Sequence, residues 1–467
     1  MSYRTERDSL GEKSIPVDAY WGLQTLRAQE NFPISGIAEP ALMVEAYVLL
    51  KKACAVANGE LGLIEKRQAD AIAQAADDVL SGKLRDQFPT DIFHQGAGTS
   101  FHMNVNEVLT NRAIEIMGGQ IGDYSILNPN DHVNYGQSTN DTFPSAMRIA
   151  TRLALREMMP KAKALAEAFD EKGRAFDRVL KSGRTHLQDA VPIRLGQEFA
   201  AYAATIRKCH ARLQEAAEQI EELGLGGSAV GTGLNTHPNY RSRAVQLLAE
   251  YTGIPFRPAT DMREAMQSHI AQAQVAAAFR IYAMELGRIM NDLRLLSSGP
   301  LTGLAEIVLP AVQPGSSIMP GKVNPSIPEM VNMVCFQAIG CATVVDLAVQ
   351  AGQLELNVMM PVMAYNTLFA LQILGNASQA LVDRCVSGIE ADEERCRWYA
   401  ETSPSLATAL NAFVGYQKAA EIVKTALREK KSVVQVTRES GLLTDDQLAE
   451  VFDAIKMTEP GIPGKTG

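Results

Sequence analysis

The sequence predicts an all-α protein, a mostly helical chain built round a central bundle of five long helices. Three observations predict it. Phe199, Ile206, Leu213 and Ile220 recur seven residues apart, the spacing of a long bundle helix with a narrow packing seam. Two further runs, about 326–352 and about 357–388, are apolar almost all round and need partners on every side. No notable stretch alternates with period two, so strand content is expected to be low.

Taken in order, residues 1 to about 40 read as irregular, punctuated by Pro16, Gly22, Pro33 and Gly36. Helical patterns follow at about 40–58 and 64–81. Two polar stretches, Gln95–Glu107 and Asn130–Asp141, close an N-terminal helical domain spanning 1–140. The bundle domain, 141–396, holds the helices predicted at about 142–174, 196–223, 263–297, 326–352 and 357–388. In the third of these, Ile270, Ala273, Ala277, Ile281 and Met284 share a face. The remainder, 397–467, returns to short helices and ends in a flexible segment, Pro460 to Gly467.

Composition narrows the function classes. Of 467 residues 46% are hydrophobic, ample for a large interior, and the net charge is −9 with acids and bases interspersed. That pattern argues against nucleic acid and against a polybasic membrane patch. Six scattered cysteines without a C-x-x-C pair read as buried apolar residues in a reducing compartment. The charged start, with no secretory signal, gives the expectation of a cytoplasmic protein. Val331–Leu356 is apolar enough to suggest a membrane span. It carries Gln337, Asp346, Gln350, Gln353 and Glu355, so a helix buried in protein is the expectation.

Four polar stretches interrupt the helices. They lie around Thr99-Ser100, around Ser138-Thr139-Asn140, at Gly183–Asp189 and at Gly315–Pro325. All are placed at ends of predicted helices, where free backbone N–H groups favour anions. Helix capping uses the same residue types, so any one stretch alone reads equally well as a cap. Four together, with Lys322, Arg184 and His186 among them, describe a pocket of neutral donors and a few cations. Such a pocket suits a small dianion such as a dicarboxylate. The last stretch, Gly315-Ser316-Ser317-Ile318-Met319-Pro320-Gly321-Lys322-Val323-Asn324-Pro325, is a Gly/Pro-interrupted loop of the kind that is usually functional.

Other motifs fail. The Gly315–Lys322 spacing misses that of a phosphate loop, with Val323 where Ser or Thr would hold magnesium. The glycines at 224, 226 and 227 follow a helix, not a strand, against a dinucleotide turn. No H-E-x-x-H or comparable cluster occurs, so neither a catalytic metal nor another cofactor is expected. No G-x-S-x-G elbow supports a serine hydrolase.

The Gly315–Pro325 loop resembles the signature loop of the aspartase/class II fumarase superfamily, and the resemblance covers essentially the whole chain. Asp8–Glu12, Ala19-Tyr20-Trp21-Gly22, Glu30-Asn31-Phe32, Gly183–Ala190 and Gly231-Thr232-Gly233-Leu234-Asn235 resemble further family motifs. The resemblance implies a three-domain subunit and a homotetramer with a core of twenty helices and active sites shared among three subunits. It implies elimination across a C–C bond to give a fumarate-type alkene. Gly96–Ser100, Pro328–Asn332 and Gly352–Met359 resemble the ammonia-lyases more than the hydratases, which implies L-aspartate as substrate.

By the same resemblance Ser316 is the general base, and its loop must stabilise an alkoxide through backbone N–H groups. Thr99, Ser138, Thr139 and Ser317 would hold the carboxylate that gains charge in the aci-carboxylate intermediate. Lys322, Asn324, Thr185 and His186 would hold the other, and Asn140, with Thr99 or His186, would face the amine. Asn324 also fits a plain turn residue before Pro325, and His186 a structural histidine. Four positions depart from the family pattern: His102 for Asn, Tyr135-Gly136 for a longer side chain and Ser, and Met360 for Glu. They leave open a substituted or N-alkylated aspartate. Fumarate hydration and a non-catalytic helical oligomer are the remaining alternatives.

Overall fold

The computed structural model describes residues 2–462, so part of the segment expected to be flexible, 463–467, lies outside the described residues. The chain is mostly helical, as the periodicities predict. It divides into two compact units. The first comprises Met1–Met159, Ala211–Ala283 and Phe336–Gly375; the second comprises Pro160–His210, Met284–Cys335 and Asn376–Gly467. The division cuts each of five long helices, α5 (Thr139–Ala175), α6 (Leu195–Gln219), α9 (Ile270–Leu296), α10 (Ser326–Gln350) and α11 (Met360–Arg384).

Residues 3–16, expected to be irregular, form a hairpin of β1 (Tyr3–Asp8) and β2 (Gly11–Pro16). Its strands are polar on both faces apart from Ile15, so no alternating pattern announced it. Side-chain hydrogen bonds substitute for a hydrophobic face. Arg4 donates to the carbonyls of Pro16 (2.8 Å), Ala19 (2.7 Å) and Trp21 (2.8 Å). The next turn is α1 (Leu23–Asn31), whose N-terminus has no cap of its own. Glu107 supplies one from α4 (Thr99–Ile116). Its carboxylate accepts from the N–H groups of Gly22, Gln24 and Thr25 and from the Thr25 hydroxyl (2.6 Å). Burial pushes this carboxyl up to about 7 against the pull of those donors.

In the first unit α2 (Ala41–Glu60) packs on α3 (Lys66–Leu80) and α7 (Tyr240–Thr252), and α3 packs on α4. Tyr47 of α2 meets Phe101 of α4 edge-on at 5.5 Å and lies against Phe143 of α5. The predicted helix at 263–297 is two: α8 (Met262–Gln267) and α9, broken at Ser268-His269. The Met266 carbonyl bonds the Asn357 N–H (3.2 Å) instead of continuing the helix. The face of α9 that Ile270, Ala273, Ala277, Ile281 and Met284 share is not the one buried within the chain. Ile270 and Met284 are exposed, while Ala271, Val275, Phe279 and Tyr282 are buried. Asn357 ends α10 two residues before the predicted 352 by donating to the carbonyls of Ala348 and Val349 (3.0 Å each). It accepts from Met359 N–H, and α11 starts just beyond.

In the second unit the seam residues Phe199 and Ile206 are fully buried, as predicted; Phe199 packs with Phe169, Phe176 and Tyr202. Leu213 and Ile220, in the first unit, are buried too. The seam helix stops at Gln219, because Glu222–Leu223 pairs instead as a short parallel ladder with Arg257–Pro258. A hairpin of β3 (Leu180–Thr185) and β4 (Gln188–Arg194) packs on α12 (Glu393–Thr402). The last helices bury Leu410, Ile422, Val433 and Val451 in their own core.

The two nearly uniform apolar helices differ. In α11, Met363, Leu368, Leu371 and Leu374 are buried. In α10, Met333 (63%), Phe336 (68%) and Leu347 (57%) stand exposed. By length and composition α10 is apolar enough to cross a membrane, yet its Asp346 pairs with Arg280 at 2.6 Å.

Glu107→Ala strips α1 of its cap and leaves buried N–H groups unpaired. The expected cost is about 3 kcal/mol, read as a lower denaturation midpoint in urea. An unchanged midpoint would remove Glu107 as the anchor of the N-terminal segment.

Candidate active site

Two helix N-termini meet in the first unit. The turn Gly96–Gly98 precedes α4 and presents Thr99 as its first residue. Ala97 and Gly98 take positive φ, 64° and 93°. Only glycine fits at 98, because a Cβ there would come within 2.0 Å of the Phe143 ring. One turn into α4, His102 Nδ1 lies 2.6 Å from Thr139 Oγ1, at the start of α5. Thr99, Ser138, Thr139 and Asn140 therefore belong to two adjacent helix starts, whose free N–H groups and dipoles favour an anion. Ser138 and Asn140 are half-buried and Thr139 is buried.

Asp141 fixes this arrangement from below. One carboxylate oxygen accepts from Ser138 N–H (2.8 Å), the other from the N–H groups of Gly226 (2.9 Å) and Ser228 (3.2 Å). Burial pushes its carboxyl up to about 6, and these three donors oppose that. The glycine run at 224–227 is thus a cradle for a carboxylate, which explains glycines that fit no dinucleotide turn. Asn140 spends one amide N–H on the Ala229 carbonyl (2.9 Å).

Behind Thr139 stands a buried cluster. Lys51 Nζ lies 2.8 Å from His102 Nε2, 3.0 Å from Asn134 Oδ1 and 2.7 Å from Gln137 Oε1. Tyr47 stacks on the His102 ring. Burial lowers Lys51 to about 7, and burial together with the Lys51 charge holds the His102 imidazole neutral. The departure at His102 is therefore tied to a candidate ligand rather than lying apart from it. Sequence reasoning missed Lys51 and Asp141. A signal for Lys51 existed: Tyr47, Lys51, Cys54 and Asn58 share one face of α2 at helical spacing, and all four are buried.

The second unit carries the remaining candidates. Ser316 is half-buried in its loop, and its Oγ accepts from the N–H groups of Ile318 (3.2 Å) and Met319 (3.0 Å). The loop is pinched shut at its base. Gly315 N–H donates to the Lys322 carbonyl (2.8 Å), and Asn324 Nδ2 donates to the Gly315 carbonyl (2.7 Å). In this conformation Asn324 braces the loop. Ser317 and Lys322 are exposed, and the Lys322 ammonium has no hydrogen-bond or ion-pair partner among the described residues.

Thr185 and His186 do not lie at a helix end, as expected from the sequence; they form the tip of the β3–β4 hairpin. His186 and Leu187 both have positive φ, 55° and 57°, the two-residue turn that normally takes Asn-Gly. Non-glycine residues held there are strained, a feature that concentrates at functional sites. Arg184 is engaged elsewhere, with Glu306 at 2.9 Å and over the Tyr399 ring. Among the described residues no group of His, Cys, Asp and Glu could hold a metal ion.

Comparison with known proteins adds three findings. A family model described as Lyase matches residues 11–340, and one described as Fumarase C C-terminus matches 406–459. The chain is 46% identical to an aspartate ammonia-lyase of Bacillus subtilis, over 99% of this chain and 98% of that one. It is 50% identical to a class II fumarate hydratase of Halobacterium salinarum, over 98% of each. Among solved structures, a Brucella melitensis protein described as fumarate lyase:delta crystallin superposes with a TM-score of 0.95 at 48% identity, over 98% of this chain and 100% of that one. A class II fumarase from Schistosoma mansoni gives 0.95 at 36%, over 98% and 99%.

Gly315→Ala tests the loop geometry. A Cβ would lie 2.4 Å from the Lys322 carbonyl oxygen and 2.9 Å from Asn324 N, both backbone atoms. The pinch must open and displace Ser316, so turnover is expected to fall at least about 100-fold with an unchanged melting temperature. Full activity would show that the pinched loop is not the working one.

Proposed function

The chain belongs to the lyase family that includes aspartate ammonia-lyases and class II fumarate hydratases, and on that footing we propose that it eliminates ammonia from L-aspartate to give fumarate. The observation that carries the reading is the Ser316 hydroxyl oxygen accepting two backbone N–H groups. Those donors are placed where an alkoxide needs them, and each oxyanion-hole donor of this kind is worth about 10²–10³ in rate.

The alkoxide takes the proton from the carbon beta to the amine. The electron pair moves into the adjacent carboxylate, which becomes a doubly charged aci-carboxylate. Thr99, Ser138, Thr139 and Ser317 donate to that group. Lys322, with Thr185, His186 and Asn324, holds the other carboxylate. The pair then returns to form the double bond, the C–N bond breaks, and the nitrogen leaves with its electrons as ammonia. Asn140, with Thr99 or His186, faces that nitrogen.

These residues come together in a homotetramer with shared sites. The exposed Met333, Phe336 and Leu347 of α10 and Ile270 and Met284 of α9 support it, since large apolar surface calls for a partner. Ammonia is favoured over water as leaving group by Gly96–Ser100, Pro328–Asn332 and Gly352–Met359. The 50% identity to a hydratase makes fumarate hydration the second reading.

One assay decides between them. Purified protein is mixed separately with L-aspartate, L-malate and N-substituted aspartates, and fumarate is followed by ultraviolet absorbance. The expected result is fumarate from L-aspartate. Fumarate from L-malate alone establishes the hydratase, and fumarate from a substituted aspartate alone moves the substrate to that class.

A further inference from the structure

The cluster behind Thr139 has more order than packing requires. As an ammonium, Lys51 carries three hydrogens and faces three acceptors: Asn134 Oδ1, Gln137 Oε1 and His102 Nε2. Filling the third bond demands a lone pair on Nε2, and Asn106 Nδ2, 3.1 Å away, points a second donor at the same atom. The neutral ring then carries its proton on Nδ1 and donates it to Thr139 Oγ1 at 2.6 Å. With that lone pair engaged, the Thr139 hydroxyl hydrogen is directed away from His102. No other partner of this hydroxyl occurs among the described residues.

The same atoms support a second arrangement. Asn134 Oδ1 lies 2.9 Å from His102 Nε2. If Lys51 loses a proton, Nε2–H has an acceptor in that carbonyl, Lys51 has one fewer hydrogen to place, and the Asn106 amide turns over so that its otherwise unpaired Oδ1, not Nδ2, faces Nε2–H. Nδ1 is then a bare lone pair, and the Thr139 hydroxyl must turn inward to donate to it. Between the two states one proton leaves overall. Lys51 passes a proton to Nε2, Nδ1 passes its own to Thr139, and Thr139 releases its outward hydrogen to solvent. His102 and Thr139 each hold one proton before and after.

We propose that Lys51 and His102 form a proton relay that orients the Thr139 hydroxyl, so that Thr139 donates outward to a bound carboxylate only while Lys51 is an ammonium. The proposal rests on the reading of Thr139 as a carboxylate ligand and names Lys51 and His102 as positioning residues for it. Burial places Lys51 at about 7, within reach of ordinary changes in pH. The other ionisable groups facing it are Tyr47 and Cys54 on α2, Asp141 on α5 and Tyr240, beside Cys54, on α7. Burial keeps both phenols and the thiol neutral. Asp141, at about 6, titrates close by and supports the Lys51 charge when ionised.

The sign follows. Below the Lys51 pKa the donor is available; as pH rises through it the donor is lost. The test uses the full-length protein with succinate as an unreactive dicarboxylate. Calorimetric affinity is expected to fall about 10-fold or more between about pH 6 and pH 8.5, the worth of one charge-assisted hydrogen bond. The 15N spectrum of histidine-labelled protein, with His102 assigned through His102→Asn, is expected to change from the Nδ1–H to the Nε2–H tautomer over the same range. Lys51→Met is expected to bind as weakly at low pH as wild type does at high pH. A single His102 tautomer throughout overturns the relay, as does an affinity step that survives in Lys51→Met, which would belong to Asp141. The spectrum of the unmutated protein decides even if Lys51→Met does not fold. A His102 switch without succinate binding refutes the dicarboxylate reading and leaves the relay standing.

Discussion

The bond between His102 and Thr139 joins the first turns of α4 and α5, and the candidate carboxylate site of the first unit depends on it. Two helix starts brought together expose several N–H groups to one small volume, and some anion must compensate them. Asp141 takes the N–H groups of Ser138, Gly226 and Ser228. The hydroxyls of Thr99, Ser138 and Thr139 and the remaining amides are what the proposed function assigns to a substrate carboxylate. Gly98 is obligatory for the same reason: any side chain there would push Phe143, and α5 with it, away from α4.

The second unit holds the Ser316 loop. A serine hydroxyl becomes a base only if its oxygen is more stable as an anion than it is in water. In the proposed reaction the two backbone N–H groups on Ser316 Oγ would supply that stability without any charged partner on the oxygen. The loop holds this geometry through Gly315, Lys322 and Asn324, whose bonds use backbone and amide atoms alone. The Lys322 ammonium is left exposed, as its proposed role toward a substrate carboxylate requires.

Much of this was legible in the sequence because it rests on local pattern. The seven-residue seam of α6 and the apolar length of α10 and α11 are properties of contiguous residues, and the helices stand where those patterns place them. What was not legible rests on contacts distant in sequence. β1 and β2 are held by Arg4 and not by an apolar face, so period-two reasoning found nothing. The break between α8 and α9 is made by Asn357, some ninety residues downstream. Among the site residues, Thr99 and Ser138–Asn140 showed themselves as cap-type residues at helix starts. The backbone of His186 did not, because its positive φ is imposed by the β3–β4 register. The role of Lys51 was not legible, because its three acceptors, on His102, Asn134 and Gln137, lie 51 to 86 residues away in the chain.

In the proposed reaction Ser316 removes the proton from the carbon beta to the amine. Hydrogen exchange at that carbon tests it most directly. L-Aspartate is incubated with the protein in heavy water and the recovered amino acid is examined by proton NMR. Deuterium is expected at that carbon with the wild-type protein and none with Ser316→Ala, in a variant whose circular dichroism and melting temperature are unchanged. Exchange at the wild-type rate in Ser316→Ala would place the base on another residue.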